Sequence, residues 1–597
     1  MFGIYNLESE PGSKSFMKQK VIFKRLQDIP PISISMGTML WNKTGTWRYL
    51  KPRYVTKTPP CNEACPAGND IEGFMVLVRE GKFREAWELI KEENPFPGIC
   101  GRLCFHPCES SCNRREYDEA LSIHAIERFL ADSQLEKRIE KPTPKVKHKE
   151  KVAIIGSGPA GLTCAYHLAR MGYGTTVFEA HSSPGGILRT GIPEYRLPRS
   201  ILDHEISDIE SWGVEIRTNT SIGRDIPFRD LKTFQAIFIA TGAHHSRNLD
   251  IAHEEAGGIL SGLDLLKQIR MGERPSLGEK MIVIGGGNVA IDVARSALRL
   301  GVHTVEVYYR RSREEMPAIP GEVEEALLEG VKIHFLTSPI KVIKEGEKAI
   351  GIECVKMTLG EPDESGRRRP FPVEGSNFQV YGETIILAIG EIPDPSFLPQ
   401  EVRVQDGLVQ TDETGLVHAK GIFAGGDVSN PSHTVVEAIG AGKRAALAIH
   451  EYLRGRWLKE KFPMIRVGEK GTISLRKYFH PPEGEVNPPV IPFKEINTDY
   501  FEHLPRISNP SLSIEERRGT FKEVYAGLDR KMAQEETSRC FNCGICNGCD
   551  NCFVYCPDMA IKREKDHYEI DYDYCKGCGI CFEECPRSAI LLEGEGR

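Results

Sequence analysis

In the stretch from Arg539 to Pro557, RCFNCGICNGCDNCFVYCP, there are six cysteines. Thiolates are soft ligands for iron and zinc, and spacings of two or three residues let a short turn present several of them to one centre. Four of the six, Cys546, Cys549, Cys552 and Cys556, recur 29 residues later as Cys575, Cys578, Cys581 and Cys585, and each set ends in Cys-Pro. This is CxxCxxCxxxCP twice over, a spacing in which three cysteines of one run hold a [4Fe-4S] cluster while the fourth crosses to the other cluster. The expected ligand sets are Cys546, Cys549 and Cys552 with Cys585, and Cys575, Cys578 and Cys581 with Cys556. Structural zinc would also accept four thiolates, but it requires neither the doubled spacing nor the prolines. Cys540 and Cys543 are left over.

Two glycine-rich turns suggest nucleotide chemistry. In KVAIIGSGPAGLTCAYHLARMGYGTTVFEA, Gly156, Gly158 and Gly161 lie between a buried-strand pattern and a helical one, with Ala160 inside the turn. The first glycine permits the tight turn, the second lets a pyrophosphate approach the backbone, and the third lets helix pack on strand. The phosphates would rest on the helix N-terminus, where unpaired amides favour an anion. Glu179, ending the next strand, is placed to accept from ribose hydroxyls. The second unit, KMIVIGGGNVAIDVARSALRLGVHTVEVYYRR, offers Gly285, Gly287 and then Ala290. Its following strand ends in Arg310 and Arg311 rather than an acid, which suits the 2′-phosphate of NADPH in preference to NADH. Two such folds in one chain suggest a flavin partnered with a nicotinamide, the second fold inserted into the first. The segment GIFAGGDVSNPSHTVVEAIGAGKRAA would complete the first, with Gly426 and Asp427 at a strand end and Asp427 facing the ribityl chain.

The elements that must position these residues fill a chain of 597 residues, long enough for several domains with sizeable cores. A hydrophobic share of 40%, a charged share of 27% and a net charge of -7 describe an ordinary globular chain with no basic excess for nucleic acid. Apolar runs such as VAIIG and TIILAIG fall far short of the ~18 residues of a membrane span, and the opening MFGIYNLESEPGSK has no apolar signal core, so a cytoplasmic location is expected. Of 18 cysteines, all but Cys164 and Cys354 sit in two terminal groups, which argues for metal ligation over disulfides. Those two fall in helical and strand-like apolar patterns and are expected to be plain core residues. The expected class is α/β: two Rossmann-like dinucleotide-binding domains, flanked by a helical N-terminal iron–sulfur domain and a C-terminal bacterial ferredoxin-like domain. The expected boundaries are an extension over 1–56, the helical domain over 57–140, an FAD domain over 146–262 and 385–456, an NADPH domain over 263–384, a Pro-rich connector wrapping the surface over 457–538, and the two-cluster domain over 539–597.

The strings GSGPAGL, PGGILRTGIPEYRLP, GGGNVAIDVAR, YYRRSREEMPA and AGGDVSN resemble the small, NADPH-oxidising subunit of glutamate synthase from Cys61 to about Arg456. The same stretch is similar to the flavin and NADPH half of dihydropyrimidine dehydrogenase and to the large subunit of flavin-bifurcating ferredoxin:NADP transhydrogenase. The resemblance implies FAD contacts from Gly186, Leu188, Arg196 and Thr434, and NADPH contacts from Gly287, Asn288, Val289 and Ala290 with Arg310 and Arg311. It also implies an N-terminal cluster on Cys65, Cys104 and Cys108 completed by an acidic or amide side chain, here Glu127. In SIHAIERFLAD that glutamate shares a helical stripe with Ile123 and Leu130, where an apolar residue is expected. A rim glutamate paired with an arginine is the alternative. In the relatives a CxxC pair upstream of the counterpart of Cys61 completes a second N-terminal cluster with the counterparts of Cys61 and Cys112. Here YLKPRYVTKTPP holds no cysteine, and RCFNC supplies a pair of that spacing far away. Cys61, Cys112, Cys540 and Cys543 are therefore expected to share a cluster, four in all. A role for Cys100 in an all-N-terminal site, or idle or zinc-bound Cys540 and Cys543, are the competing readings.

No nucleophile triad or paired-carboxylate site is visible, and neither a glutaminase-like domain nor an FMN barrel is present to complete glutamate synthesis or pyrimidine reduction. The expected function is an NAD(P)H-dependent iron–sulfur flavoprotein oxidoreductase passing electrons between NADPH and [4Fe-4S] clusters as part of a hetero-oligomer, with ferredoxin or a larger catalytic redox subunit as partner. A stand-alone NADPH:ferredoxin oxidoreductase, with or without flavin bifurcation, and a true glutamate synthase small subunit remain alternatives.

Overall fold

The computed structural model describes residues 43–137, 147–363, 365–430, 433–481, 488–565 and 567–595. Most of the expected N-terminal arm, and the start of the charged linker before the first glycine motif, lie outside the described residues.

Two parallel five-stranded sheets carry the middle of the chain. The first runs in the order Ile422–Ala424, Ala236–Ile239, Lys151–Ile155, Gly174–Phe178, Glu215–Arg217. Its central strand is apolar on both sides because both faces are covered. Val152 and Ile154 enter the core shared with the helices Pro159–Arg170 and Val435–Leu453, while Ala153 and Ile155 enter a second core opposite. The second sheet runs Lys332–His334, Thr304–Tyr308, Lys280–Ile284, Thr384–Leu387, Ile259–Ser261. A four-stranded antiparallel sheet, Thr337–Glu345, Lys348–Pro362, Arg368–Pro372 and Phe378–Tyr381, is spliced in before Thr384–Leu387.

The expected cuts at 262/263 and 384/385 need correction. Ile259–Ser261 and Thr384–Leu387 are adjacent strands of the second sheet, so both belong to the inserted domain. The chain crosses between domains on a two-stranded ribbon, His245–Ser246 against Glu391–Ile392. A three-residue edge strand carries too little period to be read, and TIIL is that domain's last strand rather than the start of the return.

Ahead of the first sheet, the helices Ile71–Arg79, Phe83–Glu93, Pro97–Leu103 and Ile123–Asp132 share its core through Phe74, Ile90, Ile99 and Ile126. The extension expected over 1–56 ends otherwise than as an arm: Leu50–Tyr54 pairs antiparallel with the C-terminal strand Ile590–Gly594, Tyr54 facing Ile590. Its sequence, LKPRY, has no alternation to announce a strand, and its proline is tolerated in a two-stranded ribbon. The stretch 457–538 carries short helices including Leu475–Phe479, Ile514–Arg518 and Arg530–Ser538, and Ile473, Leu475, Leu528 and Ala533 in it join the core of the first sheet. Cys164 and Cys354 are fully buried, on a helix and a strand.

Candidate functional site

Within each glycine motif the glycines divide by what surrounds them. Gly156 has φ +101, and a Cβ there would lie 2.4 Å from the Ala240 carbonyl oxygen; one at Gly161 would lie 2.0 Å from the Gly156 carbonyl oxygen. Gly285 has φ +145 and would bring a Cβ within 2.1 Å of the Ala388 carbonyl oxygen. Those glycines are required by the protein's own packing. Gly158 and Gly287 are not: each has ordinary φ, stands directly before a helix, and a Cβ there would meet nothing within 4 Å. What they leave open is the approach to the N-termini of Pro159–Arg170 and Asn288–Arg299, which suits a pyrophosphate. Ala290, in the third position of the second motif, is fully buried.

The first turn and the start of the helix that follows the second border one cavity of about 370 Å³. Gly156, Gly158 and Ala160 line it from the first turn, Gly186, Leu188 and Arg196 from the PGGILRTGIPEYRLP segment, and Gly426, Asp427 and Thr434 from the returning chain. Gly186 comes so close that its Cβ would lie 2.9 Å from the Gly158 Cα. Buried Glu179 also lines the cavity; its carboxylate accepts from the Ser157 amide at 3.1 Å and the His181 amide at 2.7 Å, which fixes it at the strand end. Thr434 caps the helix Val435–Leu453 by accepting from the Glu437 amide. Asn288 and Val289 enter the same cavity from the second domain, so the two nucleotide motifs face each other. Arg196 holds them together: it donates twice to Asp292, at 2.8 and 3.0 Å, and its Nε lies 3.2 Å from Glu322. Arg310 and Arg311 part company. Arg311 is buried and donates to Asp363 at 2.5 Å and to the Arg368 carbonyl at 2.8 Å. Arg310 is exposed and makes no ion pair among the described residues.

Beside this cavity stand groups of thiols, none of them in a disulfide. Cys65, Cys104, Cys108 and Glu127 line one small cavity, with Cys100 also on its wall. Glu127 is buried and has no arginine partner among the described residues; it accepts from the side-chain amides of Asn69 at 3.2 Å and Asn94 at 3.0 Å. Its burial pushes the carboxyl pKa up to about 8. Cys61, Cys112, Cys540 and Cys543 line a second cavity. Burial pushes these thiols up, neighbouring cysteines of the group push Cys61, Cys540 and Cys543 up further, and Cys543 reaches about 12. A metal centre bound there would offset the charge of four thiolates. Cys546, Cys549, Cys552 and Cys585 line a third, where the Tyr54 hydroxyl lies 3.1 Å from the Cys552 sulfur. Burial and the neighbouring Cys575, Cys578, Cys552 and Cys556 raise Cys581 to about 12.

The groups adjoin in a row. Cys104 lines both the dinucleotide cavity and the first thiol cavity. Ile71 and Ile123 border the first and second. The second leads through the Cys543–Cys546 backbone into the third, and Cys552, Cys556, Cys581 and Cys585 share one small core. Sequence reasoning did not find Asn69, Asn94 or Tyr54, nor the trio His106, Glu109 and His124, whose ligand atoms lie within 4.8 Å of one another. Each is a lone polar residue without a spacing rule to mark it.

Three family models match the chain: pyridine nucleotide-disulphide oxidoreductase over residues 150–442, dihydropyrimidine dehydrogenase domain II with its 4Fe-4S cluster over 53–139, and a 4Fe-4S binding domain over 568–591. The NADP(+)-dependent formate dehydrogenase subunit beta of Moorella thermoacetica is 39% identical over 516 residues, covering 81% of this chain and 70% of that one. The chain belongs to this family of NADPH-dependent iron–sulfur flavoprotein oxidoreductases. Another member, the NADPH-Fe(3+) oxidoreductase subunit beta of Geobacter sulfurreducens, is 38% identical over 526 residues, 82% of this chain and 76% of that one. The glutamate synthase [NADPH] small chain of Escherichia coli (strain K12) is 35% identical over 425 residues, 66% of this chain and 89% of that one. Membership carries FAD, NADPH and [4Fe-4S] clusters as cofactors, which agrees with the open glycine turns and the grouped thiols. Among the described residues no helix is long and apolar enough to cross a membrane.

Proposed function

We propose that this chain is the electron-transfer subunit of a larger redox assembly, linking NADPH to the acceptor or donor of a catalytic partner. The observation that supports the reading is that Cys104 lines both the dinucleotide cavity and the first thiol cavity, where a cluster ligand would stand on the border of the flavin site. FAD and the clusters, when bound, supply the exchange between a two-electron hydride and single electrons. The protein's part is placement. Gly158 and Gly287 leave the two helix N-termini open to pyrophosphates, and Glu179 is held at the strand end where a ribose would bind. The Arg196–Asp292 pair fixes the nicotinamide domain against the flavin cavity. Exposed Arg310 is the cation available to a 2′-phosphate.

The partner meets the far end. Cys578 is exposed, and the surface around the two-cluster domain shows Phe553, Val554, Tyr555 and Met559, apolar side chains of the kind a subunit interface covers. Two of the relatives are beta subunits, one of a formate dehydrogenase and one of an Fe(3+) oxidoreductase. A large catalytic subunit of that sort fits better than free ferredoxin or a glutamate synthase large chain.

Anaerobic stopped-flow mixing tests the reading. NADPH should bleach the flavin absorbance and then the broad iron–sulfur absorbance, faster than NADH does. Flavin that is reduced while every cluster stays oxidised would refute the connection. Purification under nitrogen with identification of the co-purifying chains names the partner.

A further inference from the structure

We propose that Cys61, Cys112, Cys540 and Cys543 together hold one [4Fe-4S] cluster, a metal centre built jointly from the two ends of the chain. The four thiols come from three separate pieces of backbone. Cys61 lies on the helix Pro60–Ala64, Cys112 stands before the turn Asn113–Glu116, and Cys540 and Cys543 follow the helix Arg530–Ser538. They nevertheless surround one cavity, closed off by apolar Pro59, Ile71, Met75 and Phe541.

The loop carrying the second pair is built into this place. Arg539 is buried; it donates to Glu536 at 2.8 Å and to the Glu119 carbonyl at 2.7 Å, while Arg114 donates to the Arg539 carbonyl at 2.9 Å. Asn542, between the two cysteines, donates to Glu72 at 2.8 Å across 470 residues of sequence and accepts from Arg79 at 3.0 Å. The Asn113 amide donates to the Cys543 sulfur at 3.5 Å, as a polar group beside an anionic ligand should. So many buried polar contacts would not converge on idle thiols. Cys100 is no substitute, because it lines the neighbouring cavity with Cys65, Cys104 and Cys108.

Four thiolates also suit zinc, and the choice of iron rests on the electron-transfer reading above. This cavity lies between the one beside the flavin and the two-cluster domain, sharing Ile71 and Ile123 with the first, while the Gly544 amide donates to the Arg587 carbonyl at 2.7 Å toward the second. A redox-inert ion there would interrupt the row.

The test is metal analysis of the full chain prepared anaerobically and EPR of the same protein after reduction with dithionite, neither of which depends on NADPH. Wild type should hold about sixteen iron atoms, four per cluster. A Cys540→Ser, Cys543→Ser double variant should lose about four of them, as should Cys61→Ser, Cys112→Ser, each removing the same EPR signal and leaving both ferredoxin-type signals. Cys100→Ser should lose none. Full iron retention in the double variants overturns the proposal, and so does one zinc per chain lost with those cysteines. Should the variants fail to fold, alkylation of the wild type decides: all four cysteines should be protected while iron is bound and become reactive together as it is stripped. Reaction of Cys540 and Cys543 with iron content intact would overturn the assignment.

Discussion

Replacing Gly158 by alanine should weaken FAD binding while leaving the fold intact, whereas replacing Gly161 should act first on the stability of the fold. At Gly158 the backbone is in an ordinary region and the added methyl meets no protein atom within 4 Å, so only the loss of a favourable helix-capping residue acts on stability, ~0.5–1 kcal/mol. That methyl, however, stands at the helix N-terminus where a pyrophosphate must touch the amides. Losing one charge-assisted contact costs ~1.5–3 kcal/mol, or about 10- to 100-fold in FAD affinity. At Gly161 the methyl would lie 2.0 Å from the Gly156 carbonyl oxygen and 3.3 Å from Ile154 Cγ2, so helix and strand must separate. Overpacking of that kind costs ~1–3 kcal/mol or more. Gly287→Ala should reproduce the first pattern for NADPH, weakening it with flavin content unchanged. The assays are thermal melts of the apoprotein and titration with FAD or NADPH. Wild-type FAD affinity in Gly158→Ala, or an apoprotein melt as depressed as that of Gly161→Ala, would refute the assignment of the two glycines.

Arg310→Asp should move nucleotide preference toward NADH by at least about tenfold in the stopped-flow reaction, since Arg311 is already engaged by Asp363; unchanged selectivity would clear Arg310 of the role. Glu127→Ala should alter or abolish one EPR signal and leave the others, because the carboxylate faces Cys65, Cys104 and Cys108 on a common cavity; four unchanged signals would make it a structural residue held by Asn69 and Asn94. Glu93→Ala should destabilise the chain by ~3–5 kcal/mol in a urea melt. It strands the fully buried Lys443 ammonium and three donors near Ser474. A loss under ~1 kcal/mol would show that the pair is dispensable.

What could be read from the sequence was whatever repeats at a fixed spacing or joins local elements. The doubled cysteine run and the two strand–turn–helix units are such features, because a cluster and a pyrophosphate each demand residue types at set intervals. The expectation that Cys540 and Cys543 join Cys61 and Cys112 came from the resemblance, whose upstream CxxC pair is missing here, and the count of ligands agreed with it. Features made by long-range pairing left no such trace. Leu50–Tyr54 is a strand only because Ile590–Gly594 lies beside it, and Ile259–Ser261 only because Thr384–Leu387 does. Arg311 looked equivalent to Arg310 until Asp363, on a hairpin with no motif of its own, took it up. The polar partners of Glu127 are single asparagines on unrelated turns.

These long-range pairings bear on how electrons would reach the C-terminal clusters. A ferredoxin-like domain after a connector of eighty residues could be a swinging carrier, but its contacts say otherwise. Five residue pairs join Leu50–Tyr54 to Ile590–Gly594, and Arg48 donates to the Tyr572 carbonyl at 2.8 Å and the Cys575 carbonyl at 3.1 Å. A Cβ at Gly577 would lie 2.0 Å from the Leu50 carbonyl oxygen, so the two ends are in close backbone contact. Lys57, buried, reaches Ser588 at 2.8 Å, and its amide donates to the Gly544 carbonyl at 2.9 Å. Each contact joins the N-terminal segment just before Cys61 to the domain that follows Cys543. The domain is thus docked on the segment that leads directly into Pro59, Pro60 and Cys61, which line the cavity shared with Cys112, Cys540 and Cys543. Transfer to it would run through a fixed row of sites.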